Sequence, residues 1–375
     1  MAARAPATTR KPRAAAIGGA SAADLRRLTA ALDAGEPQAY VDLGGHEVRL
    51  THLDRVYWPA APALDQPAIT KRDYLRYLAK VAPLLLPHAV DRPLTLFRWP
   101  EGVGTRRVRQ KHWEIPLPPF VERVDVFSES KGHPDQYILC NNFATLIWLG
   151  HMGTLELHVW HSRVRPGPDS PVTDTDFARS LASLQASILE YPDYILFDVD
   201  PFIYSGREPP GKDPELSEAA FGKAREVAWQ LHDLLDGMSL ASLVKTSGKT
   251  GLHVIVPIDR TLPYSAVRDV ARFVGEHLAQ AHRGTITTEW SVPKRRGKIF
   301  LDYNMNVRAK SMPLPFSARG IAGAPLSMPL TWKALRDAYP LDFRITTVSA
   351  ARLRDPWVDW LAEKQSLEQT FARPR

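Results

Sequence analysis

The eight residues from Tyr194 to Pro201 constrain this chain more than any other segment. Their alternation predicts a strand over Tyr194–Asp200. In a strand, residues two apart share a face. Asp198 and Asp200 therefore project together, while Ile195, Phe197 and Val199 bury the opposite side. Two ionised carboxylates side by side repel each other and stay charged only where cations neutralise them. Pro201 ends the strand just after the pair and leaves the acids at a rim. Hard oxygen ligands on a rigid element, with room for phosphate oxygens, are how Mg²⁺ and Mn²⁺ sites are usually built. An acidic strand end facing solvent would read the same way, so the pair needs company.

Asp302 supplies it. Lys298–Asp302 reads as a second strand with an acid at its end, and a third carboxylate on a neighbouring strand would complete a two-metal site for phosphoryl or nucleotidyl transfer. Between the two strands lies the run Lys245–His253. Its glycines, Gly248 and Gly251, fall between strands expected at Ser242–Lys245 and His253–Pro257. Such a turn exposes backbone N–H groups to phosphate, and Ser247, Lys249 and His253 add hydroxyl, cation and imidazole. The Gly-Lys-Thr tripeptide at 248–250 is not a Walker A loop: Leu243 stands where that motif needs its first glycine, and a strand follows rather than a helix.

Basic residues bracket these acids. Lys294, Arg295, Arg296 and Lys298 precede Asp302, and Arg308, Lys310, Ser311 and Arg319 follow it. Cations beside carboxylates suit a triphosphate and a nucleic-acid backbone, although a basic run can equally be a solvated face. Upstream, Arg98, Arg106, Arg107, Arg109, Lys111 and His112 interleave with Trp99 and Trp113. That mixture suits a single-stranded or gapped nucleic-acid groove with rings stacked on bases, or core tryptophans beside a charged loop. His151, His158 and His161 carry no helical zinc spacing. On a strand His158 shares a face with Glu156 and Trp160, where a polar active-site role fits.

Composition narrows the class. The 375 residues carry 48 Lys and Arg against 41 Asp and Glu, a formal charge of +7 that leans toward a polyanionic partner. The single cysteine, Cys140, excludes an intramolecular disulfide and a four-cysteine metal site, in keeping with a reducing cytoplasm. No apolar run approaches the roughly 20 residues a membrane helix needs, so no membrane partner is expected. The first twenty residues are Arg-rich with no acid before Asp24, the pattern of a disordered basic arm. Ser21 is the expected cap of a short helix whose Leu25, Leu28 and Leu32 share a face. Loops are expected at Val164–Thr175 and Tyr204–Pro214, either of which could cover a site. A helix is expected over Glu218–Asp236, stopped by Gly237, and another through Val267, Val270, Ala271, Val274 and Leu278. Alternating strands and helices give an α/β or α+β class. The organisation expected is an arm and short helix over 1–38, a catalytic domain over 39–362 and a tail over 363–375.

These segments together resemble the polymerase domain of bacterial ligase D and its stand-alone relatives in the archaeo-eukaryotic primase superfamily. The landmarks, in order, are Leu50–Pro59, Arg92–Gly102, Leu155–His158, Phe197–Pro201, Lys245–His253, Lys298–Asp302 and Pro315–Arg319. The resemblance implies a primase fold, an RRM-like catalytic sheet packed with a second α/β lobe. It implies template-dependent addition of nucleotides, NTPs preferred over dNTPs, to a primer 3′-hydroxyl at gaps or breaks, in short-gap filling or non-homologous end joining. Asp198, Asp200 and Asp302 match the family's carboxylates for two Mn²⁺ or Mg²⁺ ions. Ser247, Lys249 and His253 match its triphosphate turn, and Arg98, His158, Arg295, Ser311 and Arg319 match nucleotide-contacting positions. Arg55 and Lys71 match residues that hold a downstream 5′-phosphate, with His52 standing in that pocket where an asparagine is usual. Arg109 and Lys111 are the expected DNA contacts. The implied partners are gapped or broken duplex DNA, a separate ligase and a Ku-type protein, and the implied location is a bacterial cytoplasm at the nucleoid.

The chain departs from the family at several points. Val108 and Arg109 replace a phenylalanine pair that stacks on template bases. Met305 stands for a glutamine beside the third carboxylate, and the segment between Ser162 and Tyr191 is longer than usual. These differences point to a stand-alone primase-polymerase with altered DNA handling. The competing class is a non-catalytic DNA end-binding module on the same fold. A glycosyltransferase, which also uses Asp-x-Asp with a nucleotide, is disfavoured by the basic segments around Arg106 and Arg295.

Overall fold

The computed structural model describes residues 19–113, 115–215, 217–348, 353–360 and 362–372. The basic arm expected at the start of the chain lies mostly outside them. Ser21 begins the first helix as expected: its Oγ accepts from the Asp24 amide at 3.0 Å. The elements that follow are α1 (Ala22–Asp33), β1 (Ala39–Leu43), β2 (His46–Leu50), β3 (Val56–Trp58), β4 (Ile69–Thr70) and α2 (Lys71–Ala89). Next come β5 (Leu94–Arg98), β6 (Val108–Gln110), β7 (Arg123–Ser128), β8 (His133–Ile138), α3 (Phe143–His151), β9 (Thr154–Trp160) and α4 (Leu181–Ala186). The central stretch holds β10 (Tyr194–Asp200), α5 (Glu218–Gly237), β11 (Leu243–Thr246), β12 (Leu252–Pro257) and α6 (Tyr264–Ala281). Last are β13 (Ile286–Thr287), β14 (Ile299–Asp302), β15 (Ser311–Pro313), β16 (Pro329–Leu330), α7 (Trp332–Leu335) and α8 (Leu367–Ala372).

Two sheets organise these elements. The larger has six strands in the order β13-β14-β10-β12-β11-β16, with β10 antiparallel to both neighbours. Its β10 has the predicted limits, and Ile195, Phe197 and Val199 are fully buried. Helices α5 and α6 pack on this sheet through the apolar stripes expected of them, Phe221, Ala224, Val227 and Leu231 on one and Val267, Ala271, Val274 and Leu278 on the other. Each of the larger side chains, Phe, Val and Leu, contributes about 1.5–3 kcal/mol relative to exposure. Gly237 does not stop α5 but is its last residue; the chain turns at Ser239, which takes a positive φ of 61°. The second sheet, β15-β9-β5-β6, is antiparallel throughout. Strand β9 is buried along its whole length, and α2 and α3 pack together beside it. One continuous apolar core runs from Leu28 to Leu367 through both sheets.

The structure decides three points that the sequence left open. The Val164–Thr175 loop does not cover the acidic rim. It is tied at the other end of β10, where Asp169 pairs with Arg163 at 2.7 Å and with Arg260 at 3.1 Å, beside the fully buried Asp193. Within the expected tail over 363–375, residues Lys364 to Leu367 are tied to the domain. Lys364 reaches into that network and bonds both Asp169 and Asp193, Gln365 bridges Ile258, and Leu367 is buried. Trp99 and Trp113 are core residues, each 5% exposed, so neither ring is open to stack on a base.

Candidate active site

The pairing register builds the site. Asp198 in β10 lies directly opposite Asp302 in β14 on one side and His253 in β12 on the other. Asp200 is two residues further along the same face. His253 Nε2 stands 3.5 Å from Asp198 Oδ1, and Arg295 Nη1 stands 4.0 Å from Asp200 Oδ2. Arg295 is held there by stacking over Phe300, 3.5 Å from the ring centroid, and by donating to the carbonyls of Glu289 and Trp290.

The protein alone does not balance the charge of three ionised carboxylates here. Burial pushes Asp198 up to about 8, with Asp200 and Asp302 adding like-charge repulsion. Burial pushes Asp200 up to about 6, and Asp302 is raised for the same reason. In the structure the three do not converge on one point, since Asp200 accepts from the Phe202 amide and Asp302 from the Asn304 amide. Among the described residues no three carboxylate, imidazole or thiol groups are drawn together around an ion. As a donor set they still fit one: hard oxygens at a strand rim, mutually repelling and short of cations. His151, His158 and His161 do not gather into a metal site either.

The turn between β11 and β12 closes on itself. The Ser247 amide donates to the Gly251 carbonyl at 2.8 Å, and Ser247 Oγ accepts from the amides of Gly251 and Lys249. Gly248 takes φ +76°, and a Cβ there would lie 2.8 Å from the Leu326 and Ser327 backbone, so glycine is needed on both counts. Burial, then Lys245 and Arg319, keeps His253 well below the ordinary histidine range, hence neutral. Its Nδ1 is buried and has no partner among the described residues, as expected of a group waiting for a ligand.

His158, Asp198, Asp200, Ser247, Lys249, His253, Ser311 and Arg319 all line one cavity of about 300 Å³. Met305 and Phe202 form part of its wall. Ser311 arrives on β15, which pairs with β9 and so brings the second sheet against the acidic rim. Burial lowers His158 to about 4, leaving it uncharged. Glu156, two residues before it, was not singled out from the sequence. It is 1% exposed and contacts Arg319, Lys249 and His158. Strand alternation placed it on the His158 face; that it gathers cations depends on residues far away in sequence.

Arg98 does not join this cavity. Its guanidinium donates to the Met152 carbonyl and to Gln110 and stacks over Trp113, 4.5 Å from the ring centroid. Arg107 and Arg109 reach over Phe97, whose ring packs against His158 with centroids 4.6 Å apart. The exposed Arg109 is thus linked through Phe97 to His158, which lines the cavity. Lys111 is half-buried, and its pKa is lowered by burial and by Arg109 and Lys310.

A second cationic cluster forms where α2 begins. Thr70 and Asp73 make a reciprocal capping box that starts the helix at Lys71. Lys71 is buried, donates to the Thr51 carbonyl at 3.0 Å, and is lowered to about 8 by burial and by Arg55. Arg55 pairs with Glu101 at 2.7 Å and donates to the Pro100 carbonyl. His52, exposed and at φ +53°, lies close enough to this group to act with Lys71, Arg49 and Arg55 on His151. Burial and those cations lower His151 to about 4.

Comparison with known proteins places the chain in a family. The family model of the LigD primase-polymerase domain matches residues 70–357. The multifunctional non-homologous end joining protein LigD of Mycolicibacterium smegmatis is 28% identical over 290 residues, 77% of this chain and 32% of that protein. Its counterpart in Pseudomonas aeruginosa is 28% identical over 331 residues, 87% of this chain and 34% of that protein. The chain spans about a third of the length of these relatives. The polymerase domain of Mycobacterium tuberculosis ligase D, solved in complex with DNA, superposes with a TM-score of 0.68 at 27% identity, covering 85% of this chain and 99% of that one.

Proposed function

The chain belongs to the LigD primase-polymerase domain family, and from that premise we propose that it is a template-dependent nucleotidyltransferase of DNA repair, extending a primer 3′-hydroxyl across a short gap or break. The row Asp302–Asp198–His253 beside the Ser247 turn carries this reading. In it Asp198, Asp200 and Asp302 hold two Mn²⁺ or Mg²⁺ ions. When bound, such ions supply Lewis acidity at the primer hydroxyl and neutralise the leaving pyrophosphate.

The remaining groups bind and orient. The Ser247 hydroxyl and Lys249 receive the triphosphate, and neutral His253 offers its free ring nitrogen. Arg319, His158 and Ser311 set the nucleotide, with NTPs preferred, against the Met305 and Phe202 wall. Arg295, wedged on Phe300, stabilises charge developing beside Asp200. Lys71 and Arg55, with His52 beside them, receive a downstream 5′-phosphate through their side chains, and Arg109 and Lys111 line the approach of the DNA. A ligase and a Ku-type end-binding protein are the partners this role calls for. No helix among the described residues is long and apolar enough to cross a membrane.

Primer extension on a short gapped duplex with a 5′-phosphate and Mn²⁺, comparing NTPs with dNTPs, tests the reading. Extension that favours NTPs and disappears in Asp198→Ala supports it. Tight gap binding without extension would instead identify a DNA-binding scaffold.

A further inference from the structure

We infer that Glu156 is a positioning residue for the incoming nucleotide: one buried carboxylate that sets Arg319, Lys249 and His158 in place before substrate arrives. The inference rests on the nucleotidyltransferase reading above. Glu156 projects from β9, where the second sheet meets the acidic rim. Its Oε2 lies 3.2 Å from Arg319 Nη2 and 3.3 Å from His158 Nε2. Its Oε1 accepts from the Gly320 amide at 3.0 Å and lies 3.6 Å from Lys249 Nζ. Both oxygens are thus used, and three of the four partners line the cavity that also holds Asp198 and Asp200.

A carboxylate this deep is tolerated only with such partners. Burial alone would raise its pKa, but Arg319, the His158 hydrogen bond and Lys249 outweigh burial and keep it below the ordinary range. The partners, in turn, depend on it. Among the described residues, none of the three pairs with any other carboxylate. Arg319 has one further anchor, the Ser247 carbonyl, which couples it to the turn.

The contacts are graded in a way that suits substrate exchange. Arg319 and His158 are both buried and close to Glu156, so the Arg319 guanidinium is a fixed donor and the neutral His158 ring, its Nε2–H turned to Glu156, is fixed with Nδ1 as an acceptor; neither needs reorganisation when the nucleotide enters. Lys249 is the loosest of the set, 3.6 Å away with its side chain about a third exposed (32%). It can turn to a triphosphate while Arg319, His158 and the Gly320 amide keep Glu156 satisfied. A salt bridge serving stability alone would have no reason to join groups that face an open cavity on their far sides.

Nucleotide titrations of primer extension on the gapped duplex, for wild type, Glu156→Gln and Glu156→Asp, test the role. The glutamine keeps the shape and removes the charge; the aspartate keeps the charge and withdraws it by one methylene. In both, nucleotide KM is expected to rise about tenfold, with affinity for the gapped duplex unchanged within about twofold. A loss of folded protein alone would lower apparent kcat and leave KM where it was. Combining Glu156→Gln with Arg319→Lys should give less than the product of the single effects, as residues acting through one contact do. KM unchanged in the folded variants, or effects that multiply, would overturn the proposal. If the glutamine variant does not fold, the aspartate variant decides alone. A wild type that extends no primer would overturn the polymerase reading and this inference with it, an outcome distinct from an active enzyme with an unmoved KM.

Discussion

Asp198 and Asp302 stand directly opposite each other across β10 and β14, two carboxylates on adjacent strands with no lysine or arginine paired to either among the described residues. Burial and this opposition push Asp198 up to about 8. Its ordinary value is 3.8, so folding takes up a proton between these limits, and its contribution to stability falls as pH rises from about 4 to 8. Asp198→Asn removes that cost. In metal-free buffer at pH 7 the variant should melt about 2 °C or more above wild type, with a flatter dependence of Tm on pH. Mn²⁺ should raise Tm in wild type and have little effect in the variant. Primer extension should fall about a thousandfold or more. Thermal melts with MnCl₂ and with EDTA measure the first two effects. A variant that melts lower without metal would mean that Asp198 is a stabilising acceptor.

Lys71 should make recognition of the 5′-phosphate sensitive to alkaline pH. Burial and Arg55 bring it down to about 8, so it is charged at pH 7 in the free protein. Phosphate favours the charged form. Above pH 8, binding must draw a proton from solution, and affinity falls by up to about tenfold per pH unit. The preference for a 5′-phosphate over a 5′-hydroxyl gap should therefore shrink between pH 7 and 9 in wild type. It should hold steady in Lys71→Arg, whose guanidinium stays charged. Arg55 is partly occupied by Glu101, an exposed pair that screening weakens. Glu101→Gln should release it and raise phosphate preference about twofold at low salt, with less gain at high salt. Fluorescence anisotropy with the two gap substrates reads all of these.

The central strands were legible because short apolar runs are broken by residues with chemistry, Asp198, Asp200, His253 and Asp302. Tyr194–Asp200 has the expected limits, and β11, β12 and β14 lie within one residue of expectation at every end. Helices α5 and α6 followed from their stripes. What local pattern did not carry was pairing over long distances. Lys364 looks like part of a polar tail, yet its ammonium meets Asp169 and Asp193, 195 and 171 residues earlier in the chain. Trp99 and Trp113 looked equally suited to a groove or a core, and only the packing decides between them. Glu156 reads as one polar residue in an otherwise buried strand until Arg319 and Lys249 are brought to it. Arg98 was assigned to the nucleotide by resemblance, while its guanidinium is taken up by Met152, Gln110 and Trp113.

The buried network around Asp193 should govern stability without entering the chemistry. Asp193 is fully buried, pairs with Arg92 at 2.7 Å and Arg163 at 3.0 Å, and also meets Lys364. Asp193→Asn leaves the fully buried Arg92 without its carboxylate. Breaking a buried pair from one side costs about 3–5 kcal/mol. Urea unfolding should show a loss of that size, with nucleotide KM unchanged in the folded fraction. Lys364→Met should cost less, because Arg163 and Arg260 still serve Asp169. A loss from Lys364→Met equal to that from Asp193→Asn would make the C-terminal segment the main element of the network.

Gly320→Ala should disturb the nucleotide site through packing alone. A Cβ at Gly320 would lie within 2.6 Å of the buried Trp99 ring, which has no flexible end to yield. The backbone must move, and Gly320 both follows Arg319 and donates its amide to Glu156. Overpacking of this kind costs about 1–3 kcal/mol. It should also displace Arg319 from the cavity, so nucleotide KM should rise severalfold on top of a lower Tm. Trp99→Phe in the same chain removes the ring atoms in the way, and should restore part of the KM even where it does not restore stability. A Gly320→Ala enzyme with lower Tm but wild-type KM would show that Arg319 is held by the Ser247 carbonyl and not through the Gly320–Glu156 bond.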